Sequence, residues 1–357
     1  MRVAYTLEQC WHDVPGGTAV AALGVARHLA DAGVDAIGVA ARHSGPPPEP
    51  WMPPIPVRHL PLPRPVLYDA WLRAGWPPVE KATGPVDVVH ATTIIVPPRR
   101  RAPLVVTIHD LAFLHEPAQF TRRGVATFRR ALARVRERAD LVLCSSRATL
   151  DDCAGAGLPA ERLRHLPLGI DPPAPLAAGA IDAARARHRL PEHYLLFVGT
   201  LEPRKNLARL VAAHASLPEA PVLAVAGPNG WGAGGPEADP VRVRLLGFVG
   251  EQDKQALYAG AAAFCYPSTR EGFGLPVLEA LARGAPVVTS RGTATEEAAG
   301  GAAVLVDPYD VDDIARGISE ALAGSRELAA AGPLRAAQHT WAATAQATAA
   351  AYREVAA

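Results

Sequence analysis

The chain has 357 residues, 49% of them hydrophobic and 20% charged, with a formal net charge of +1. That length suits two domains, the apolar content excludes global disorder, and the near-neutral balance excludes a strongly basic nucleic-acid binder. The four cysteines, Cys10, Cys144, Cys153 and Cys265, contain no CxxC pair, which argues against a disulfide scaffold or a zinc ribbon.

Met1–Leu7 runs into Glu8 without the apolar stretch of a signal peptide. No apolar run approaches the ~20 residues of a membrane-spanning helix, so a cytoplasmic protein is expected. Arginine dominates the cations, and lysine occurs only at Lys81, Lys205 and Lys254.

Short Val/Ile/Leu-rich runs at 1–7, 34–41, 86–92, 103–109 and 140–145 predict strands, with helices at 17–32, 119–138 and 147–156. The proline-rich stretch 45–65 reads as an irregular excursion, and the breaker-rich segment 169–190 as a domain boundary. Beyond it, strands are predicted at Leu195–Gly199, Val222–Ala226, Val243–Leu246, Ala262–Cys265 and Pro286–Val288. Helices are predicted at 206–216, 252–260, 276–283 and 311–323, and an alanine-rich helix at 341–355 with Trp341 and Tyr352 as apolar anchors. Two βα series in succession predict an α/β fold of two doubly wound, Rossmann-like domains, 1–170 and 171–340, followed by a C-terminal segment 341–357. Charge divides unevenly: residues 1–170 hold 20 Lys+Arg against 15 Asp+Glu, and residues 171–357 hold 16 against 20.

Arg270-Glu271-Gly272-Phe273-Gly274-Leu275-Pro276-Val277-Leu278-Glu279 is the strongest motif. Pro276 suits a first helical turn, and Gly272 and Gly274 let backbone amides approach an anion at a helix N-terminus. Glu271 and Glu279 are then candidates to accept hydrogen bonds from sugar and ribose hydroxyls; a capping loop with two surface glutamates is the plainer alternative. In Gly199-Thr200-Leu201-Glu202-Pro203-Arg204-Lys205-Asn206, two cations are predicted in the first turn of a helix opened by Pro203. The helix dipole disfavours them there, so a diphosphate held by Arg204 and Lys205 is one explanation and a solvated basic turn the other. His109 ends a strand, where open α/β sheets bind ligands. Gly16-Gly17 follows the first strand but does not complete a GxGxxG fingerprint. In 120–138, Val125, Phe128, Leu132 and Val135 share a helical face among seven arginines. That pattern fits either core packing or peripheral contact with an anionic membrane.

Taken together, these motifs resemble the retaining family 4 glycosyltransferases of the GT-B fold, whose two Rossmann-like domains face each other across a cleft. Ala139–Ser146 and Gly247-Phe248-Val249 followed by Leu257-Tyr258 add to the likeness, which covers nearly the whole chain. The resemblance implies that the first domain binds a hydroxyl acceptor and the second a nucleotide-diphosphate sugar. It implies that Arg204 and Lys205 grip the diphosphate, that Glu279 binds the ribose and that Phe248 and Val249 border the base. Glu271, with the amides of Gly272, Phe273, Gly274 and Leu275, would hold the donor sugar, helped by Gly17, Gly199 and Thr200. His109 would lie near the reacting carbon, and the C-terminal helix would cross back to the first domain. The family works by front-face attack rather than through a carboxylate nucleophile, so Glu271 would orient; no metal and no separate cofactor are implied. The Arg-Lys-Asn and Glu-Gly-Phe-Gly-Leu-Pro runs look most like bacterial mannosyltransferases of polysaccharide assembly, which favours GDP-mannose. One departure is Glu296, which stands where relatives carry proline before the glutamate matched by Glu297. Rivals are a UDP-sugar-dependent transferase, a nucleotide-sugar 2-epimerase and a non-catalytic sugar-nucleotide-binding protein. The acceptor remains open among a glycan, a lipid-linked glycan and a small molecule.

Overall fold

The computed structural model describes residues 1–228 and 239–357. Met1–Gly169 with Thr340–Ala357 form one compact unit, and Ile170–His339 the other.

Unit 1 carries β1 (Arg2–Thr6), β2 (Asp35–Ala40), β3 (Val57–His59), β4 (Val88–Ala91), β5 (Leu104–Ile108), β6 (Leu141–Cys144) and β7 (Leu163–His165). They form one sheet in the order β3-β2-β1-β4-β5-β6-β7, with every pairing parallel. Unit 2 carries β8 (Tyr194–Val198), β9 (Val222–Ala226), β10 (Val243–Gly247), β11 (Ala263–Tyr266), β12 (Val287–Ser290) and β13 (Val304–Val306). Their order, β10-β9-β8-β11-β12-β13, is the doubly wound order of dinucleotide-binding folds. β4, β6, β11 and β12 are buried at every residue, because helices cover both faces of a parallel sheet; this is why their sequences run apolar without alternation. The strand order reverses between β1 and β4 in unit 1 and between β8 and β11 in unit 2. Loops leaving the carboxyl ends of those neighbours diverge and open a ligand crevice.

Several expectations need correction. The 45–65 stretch is not wholly irregular: Val57–His59 adds an edge strand to β2, with Pro56 offering its carbonyl to Gly38 N (2.8 Å). The 169–190 segment contains the helix Ala180–Arg187, and β7 and β13 were not predicted at all, being three-residue strands too short to show a pattern. The helices Ala294–Ala299 and Ser325–Ala336 were also missed; the latter carries Pro333 in its interior, a residue that argues against a helix locally. Pro203–Lys205 is a separate 3-10 turn, and the helix begins only at Leu207, after Asn206 takes a left-handed conformation (φ 62°).

The C-terminal helix Trp341–Ala356 packs on unit 1, against the helix Gly16–His28. Trp341 and Tyr352 are both buried, and Tyr352 is a polar anchor as well as an apolar one. Its hydroxyl bonds His90 Nδ1 (2.6 Å), whose Nε2 bonds Thr107 Oγ1 (2.8 Å), so one chain of hydrogen bonds ties the helix to β4 and β5. Burial pulls the His90 imidazole down to about 3, keeping it neutral.

The helix Arg122–Arg138 is capped by Thr121, whose Oγ1 accepts from Gly124 N (3.0 Å). It buries Ala131, Leu132 and Val135, and Phe128 packs against Phe113 and Phe120 at ring distances of 5.4 and 6.2 Å. Phe128, Leu132 and Val135 of the apolar stripe are therefore used by the core, and Arg122, Arg123, Arg129, Arg130 and Arg136 are exposed, together with Ala126, Ala133 and Glu137. Among the described residues no helix is long and apolar enough to cross a membrane.

A Cβ on Gly24 would lie 2.3 Å from Trp341 Cε2, a contact the buried indole has no room to relieve. Gly24→Ala is therefore expected to destabilise the protein by about 1–3 kcal/mol despite alanine's better helix propensity. An unchanged urea midpoint would show that this packing is not tight.

Candidate active site

Two loops at the switch point of unit 2 build the site. The first leaves β8 as Gly199–Asn206, and the second leaves β11 as Pro267–Gly274. Gly227, with φ +148°, must stay small: it passes so close to the first loop that a Cβ on it would meet Gly199 O at 2.0 Å. Asn206 clamps the turn, donating from Nδ2 to the carbonyls of Pro267 (2.8 Å) and Pro308 (2.6 Å). The Arg204 carbonyl accepts from Thr269 N (2.9 Å), locking the two loops together.

Within this frame Arg204, Lys205 and Glu271 form one charge cluster. Lys205 Nζ lies 2.6 Å from Glu271 Oε1, and Arg204 Nη1 lies 3.2 Å from Glu271 Oε2. Tyr266 OH donates to Glu271 Oε1 (2.9 Å) while accepting from Lys205 Nζ (2.6 Å), and Ser268 Oγ donates to the same Oε1 (2.8 Å). Glu202 pairs with Arg204 Nε at 2.8 Å. Burial opposes ionisation of Glu271, but Lys205 and Arg204 outweigh it and hold its carboxyl at about 2. Burial, with the negative Glu271 beside it, pushes the Tyr266 phenol well above its ordinary value, so it remains a donor.

Glu279 stands apart from that cluster on the helix Leu275–Ala282. Lys254 Nζ donates to its Oε1 and Tyr258 OH to its Oε2, each at 3.1 Å, both from the helix Glu251–Gly260. The Glu271 loop enters its helix through Gly274 at φ +113°, against Thr295 (3.1 Å from a Cβ built there), with Leu275 and Pro276 opening the first turn. Phe273 is buried beside His339 at a ring distance of 5.8 Å, so it offers a ligand its backbone alone. Phe248 is 77% exposed and Val249 half-buried, next to the end of β10. Glu296 closes its own turn by accepting from Gly292 N (2.5 Å), while Thr293 caps the helix Ala294–Ala299.

His109 and Gly17 belong to unit 1. Gly17 lies in the first turn of Gly16–His28, with open space where a Cβ would stand. His109 follows β5; its carbonyl accepts from Ser145 Oγ (3.0 Å) and Thr149 Oγ1 (2.8 Å). Its ring borders a small cavity of about 20 Å³ lined also by Tyr5, His90, Thr92 and Thr107, room for about one water. Burial lowers its affinity for a proton, against Asp110 and a bond to the Thr92 backbone, which keeps the imidazole neutral at pH 7.

Sequence reasoning did not single out Glu202, Tyr266, Ser268 or Lys254 as site partners. Lys254 left a signal: two of the three lysines in the chain are held by the two glutamates of the Glu-x7-Glu motif. No group of three or more His, Cys, Asp or Glu among the described residues is placed to hold a metal ion.

Because the Glu271 carboxyl sits near 2 rather than its ordinary 4.5, its ionisation stabilises the fold above pH 4.5. That contribution is lost as pH falls toward 2. The advantage of the wild type over Glu271→Gln should be about 3 kcal/mol larger at pH 7 than at full protonation, with roughly half of that gone by pH 3. Urea titrations of both proteins across that range test this; a difference independent of pH would mean that the carboxylate is not stabilised as an anion.

Comparison with known proteins gives the family and the fold. The family model described as glycosyl transferases group 1 matches residues 181–333, and that described as glycosyltransferase family 4 matches residues 15–173. O-antigen chain mannosyltransferase B of Escherichia coli is 32% identical over 267 residues, 68% of either chain. D-inositol 3-phosphate glycosyltransferase of Mycolicibacterium smegmatis is 38% identical over 190 residues, 49% of this chain and 43% of that one. The crystal structure of Anabaena HepE in complex with UDP and glucose shares the fold, with a TM-score of 0.74 at 20% identity over 99% of this chain and 100% of that one. Two parallel α/β sheets of this order, matched by family models in each unit, identify the chain as a GT-B glycosyltransferase of the group 1, family 4 type.

Proposed function

We propose that the protein transfers mannose from GDP-mannose to a hydroxyl of a glycan acceptor, with retention at the anomeric carbon. The observation that carries the reading is the Arg204–Lys205–Glu271 cluster at the switch point of unit 2, where a doubly wound sheet binds its ligand. The choice of mannose is supported by likeness to a mannosyltransferase of O-antigen chains. The UDP and glucose bound to HepE favour a UDP-sugar donor as the second reading.

On this reading Arg204 and Lys205 hold the diphosphate and neutralise the charge that grows on it as the glycosidic bond breaks. Glu271, pinned from Lys205, Arg204, Tyr266 and Ser268, orients the donor sugar and does not attack it. Glu279 takes the ribose, and Phe248 and Val249 border the base. Gly199, Thr200, Gly272, Phe273, Gly274 and Leu275 offer backbone to the donor. The departing diphosphate accepts the acceptor's proton as the new bond forms on the same face. In unit 1, Gly17 and His109 contact substrate, His109 as a neutral imidazole. Charge neutralisation rests on the two cations, and the reading requires no metal or separate cofactor. The exposed arginines of Arg122–Arg138 support, for a lipid-linked acceptor, electrostatic contact with an anionic membrane. Equal sedimentation with anionic and zwitterionic vesicles would remove that part.

Thermal melts with GDP, UDP, ADP and dTDP test the donor. The matching diphosphate at ~100 times its Kd should add about 2.7 kcal/mol. Selective stabilisation by GDP supports the mannose reading, selective stabilisation by UDP supports its rival, and no shift with any of them sinks both. Lys205→Ala should lower kcat by about 10²–10³ as well as weaken donor binding. A change confined to donor KM would leave Lys205 a binding residue only.

A further inference from the structure

Among the described residues, the ion pairs of the cationic turn of unit 2 match in charge. Arg204 and Lys205 supply two positive charges, and Glu202 and Glu271 supply two negative ones at 2.6–3.2 Å. A nucleoside diphosphate brings several more negative charges. It gains full value from these cations only if one of the carboxylates gives way.

The two carboxylates are held very differently. Glu271 is fixed by Lys205, Arg204, Tyr266 and Ser268. Glu202 is held by a single side chain among the described residues, Arg204, through Nε at 2.8 Å. The backbone beneath cannot swing aside: the Arg204 carbonyl is bonded from the second loop, and Asn206 is tied to Pro267 and Pro308. The Glu202 side chain is thus the part of the cluster free to move. It occupies one edge of a guanidinium fork, and phosphate oxygens fit the same edge.

We propose that Glu202 is a displaceable internal counterion of the donor site. It orients Arg204 while the site is empty, yields its place to the donor's diphosphate, and returns to speed release of the product nucleotide. The inference rests on the donor-site reading above and adds to it a residue that sets affinity without touching the reacting atoms. A carboxylate competing for Arg204 weakens every diphosphate ligand, and the benefit of weak binding is fast release, a step that limits turnover in many transferases.

The sign of one substitution decides the matter. If Glu202 competes with diphosphate, Glu202→Gln tightens diphosphate binding; if it only orients Arg204, the same change weakens it. Calorimetric titration of the full chain with GDP and UDP, and with guanosine and uridine, compares wild type, Glu202→Gln and Glu202→Ala. The expected result is a five- to tenfold lower Kd for the diphosphate in both variants, about 1–1.4 kcal/mol. The matching nucleoside should be unaffected, and donor KM should fall with no rise in kcat. Diphosphate binding by wild type with an equal or higher Kd in both variants overturns this inference alone. No diphosphate binding by any of the three proteins overturns it together with the donor-site reading. Loss of a cooperative melt in both variants marks Glu202 as a structural counterion and overturns the proposal too.

Discussion

The site in unit 2 depends on a buried carboxylate that two cations keep ionised. Glu271 has almost no contact with solvent, with 8% of its side chain exposed, and an isolated charge there would be very costly. Lys205, Arg204, Tyr266 and Ser268 remove that cost; the two cations come from the loop leaving β8, Tyr266 ends β11 and Ser268 follows it. The neighbouring strands must therefore keep register, and the turn at Arg204 must stay where Thr269 holds it. The cluster is fold stability and ligand chemistry at once. Removing one partner strands the others, which is why such groups couple instead of adding.

Unit 1 solves a different problem. It has to keep a C-terminal helix that is distant in sequence, and it does so with shape and one polar chain. Gly24 leaves the space that the Trp341 indole fills, and Tyr352, His90 and Thr107 connect the helix to the middle of the sheet. His90 stays neutral because burial, with His109 beside it, disfavours its cation. His109, one strand away, borders with His90 a cavity with room for about one water; His90 spends both ring nitrogens on Tyr352 and Thr107.

The arginine-rich helix shows how a sequence pattern can have two outcomes. Its apolar face and its arginines are equally suited to a membrane surface and to a sheet. Phe128, Leu132 and Val135 settle the matter by packing inward, because Phe113, Phe120 and the sheet are already within reach. What is left outside is mostly charge, with only Ala126 and Ala133 between. Contact through those arginines would therefore be electrostatic, and salt would weaken it.

The sequence by itself determined the two-domain α/β architecture, because buried parallel strands must be apolar throughout and their punctuation by glycine and proline is local. It also determined which loops carry chemistry: Gly199–Asn206 and Arg270–Glu279 are chemically unusual within a few residues of themselves. Elements without a local pattern escaped, namely the three-residue strands β3, β7 and β13 and a helix with proline inside it. Tertiary structure alone decided the pairing. That Glu271 meets Lys205 across 66 positions follows from β8 and β11 lying side by side, and that Glu279 meets Lys254 and Tyr258 follows from the packing of two helices. The anomaly of two cations beside a helix start was legible, but its answer was not: the helix starts later, at Leu207, and the charges are met by Glu202 and Glu271. Spacing along a chain reports what a residue can do, whereas a charge's partner is set by through-space distance, which only folding supplies.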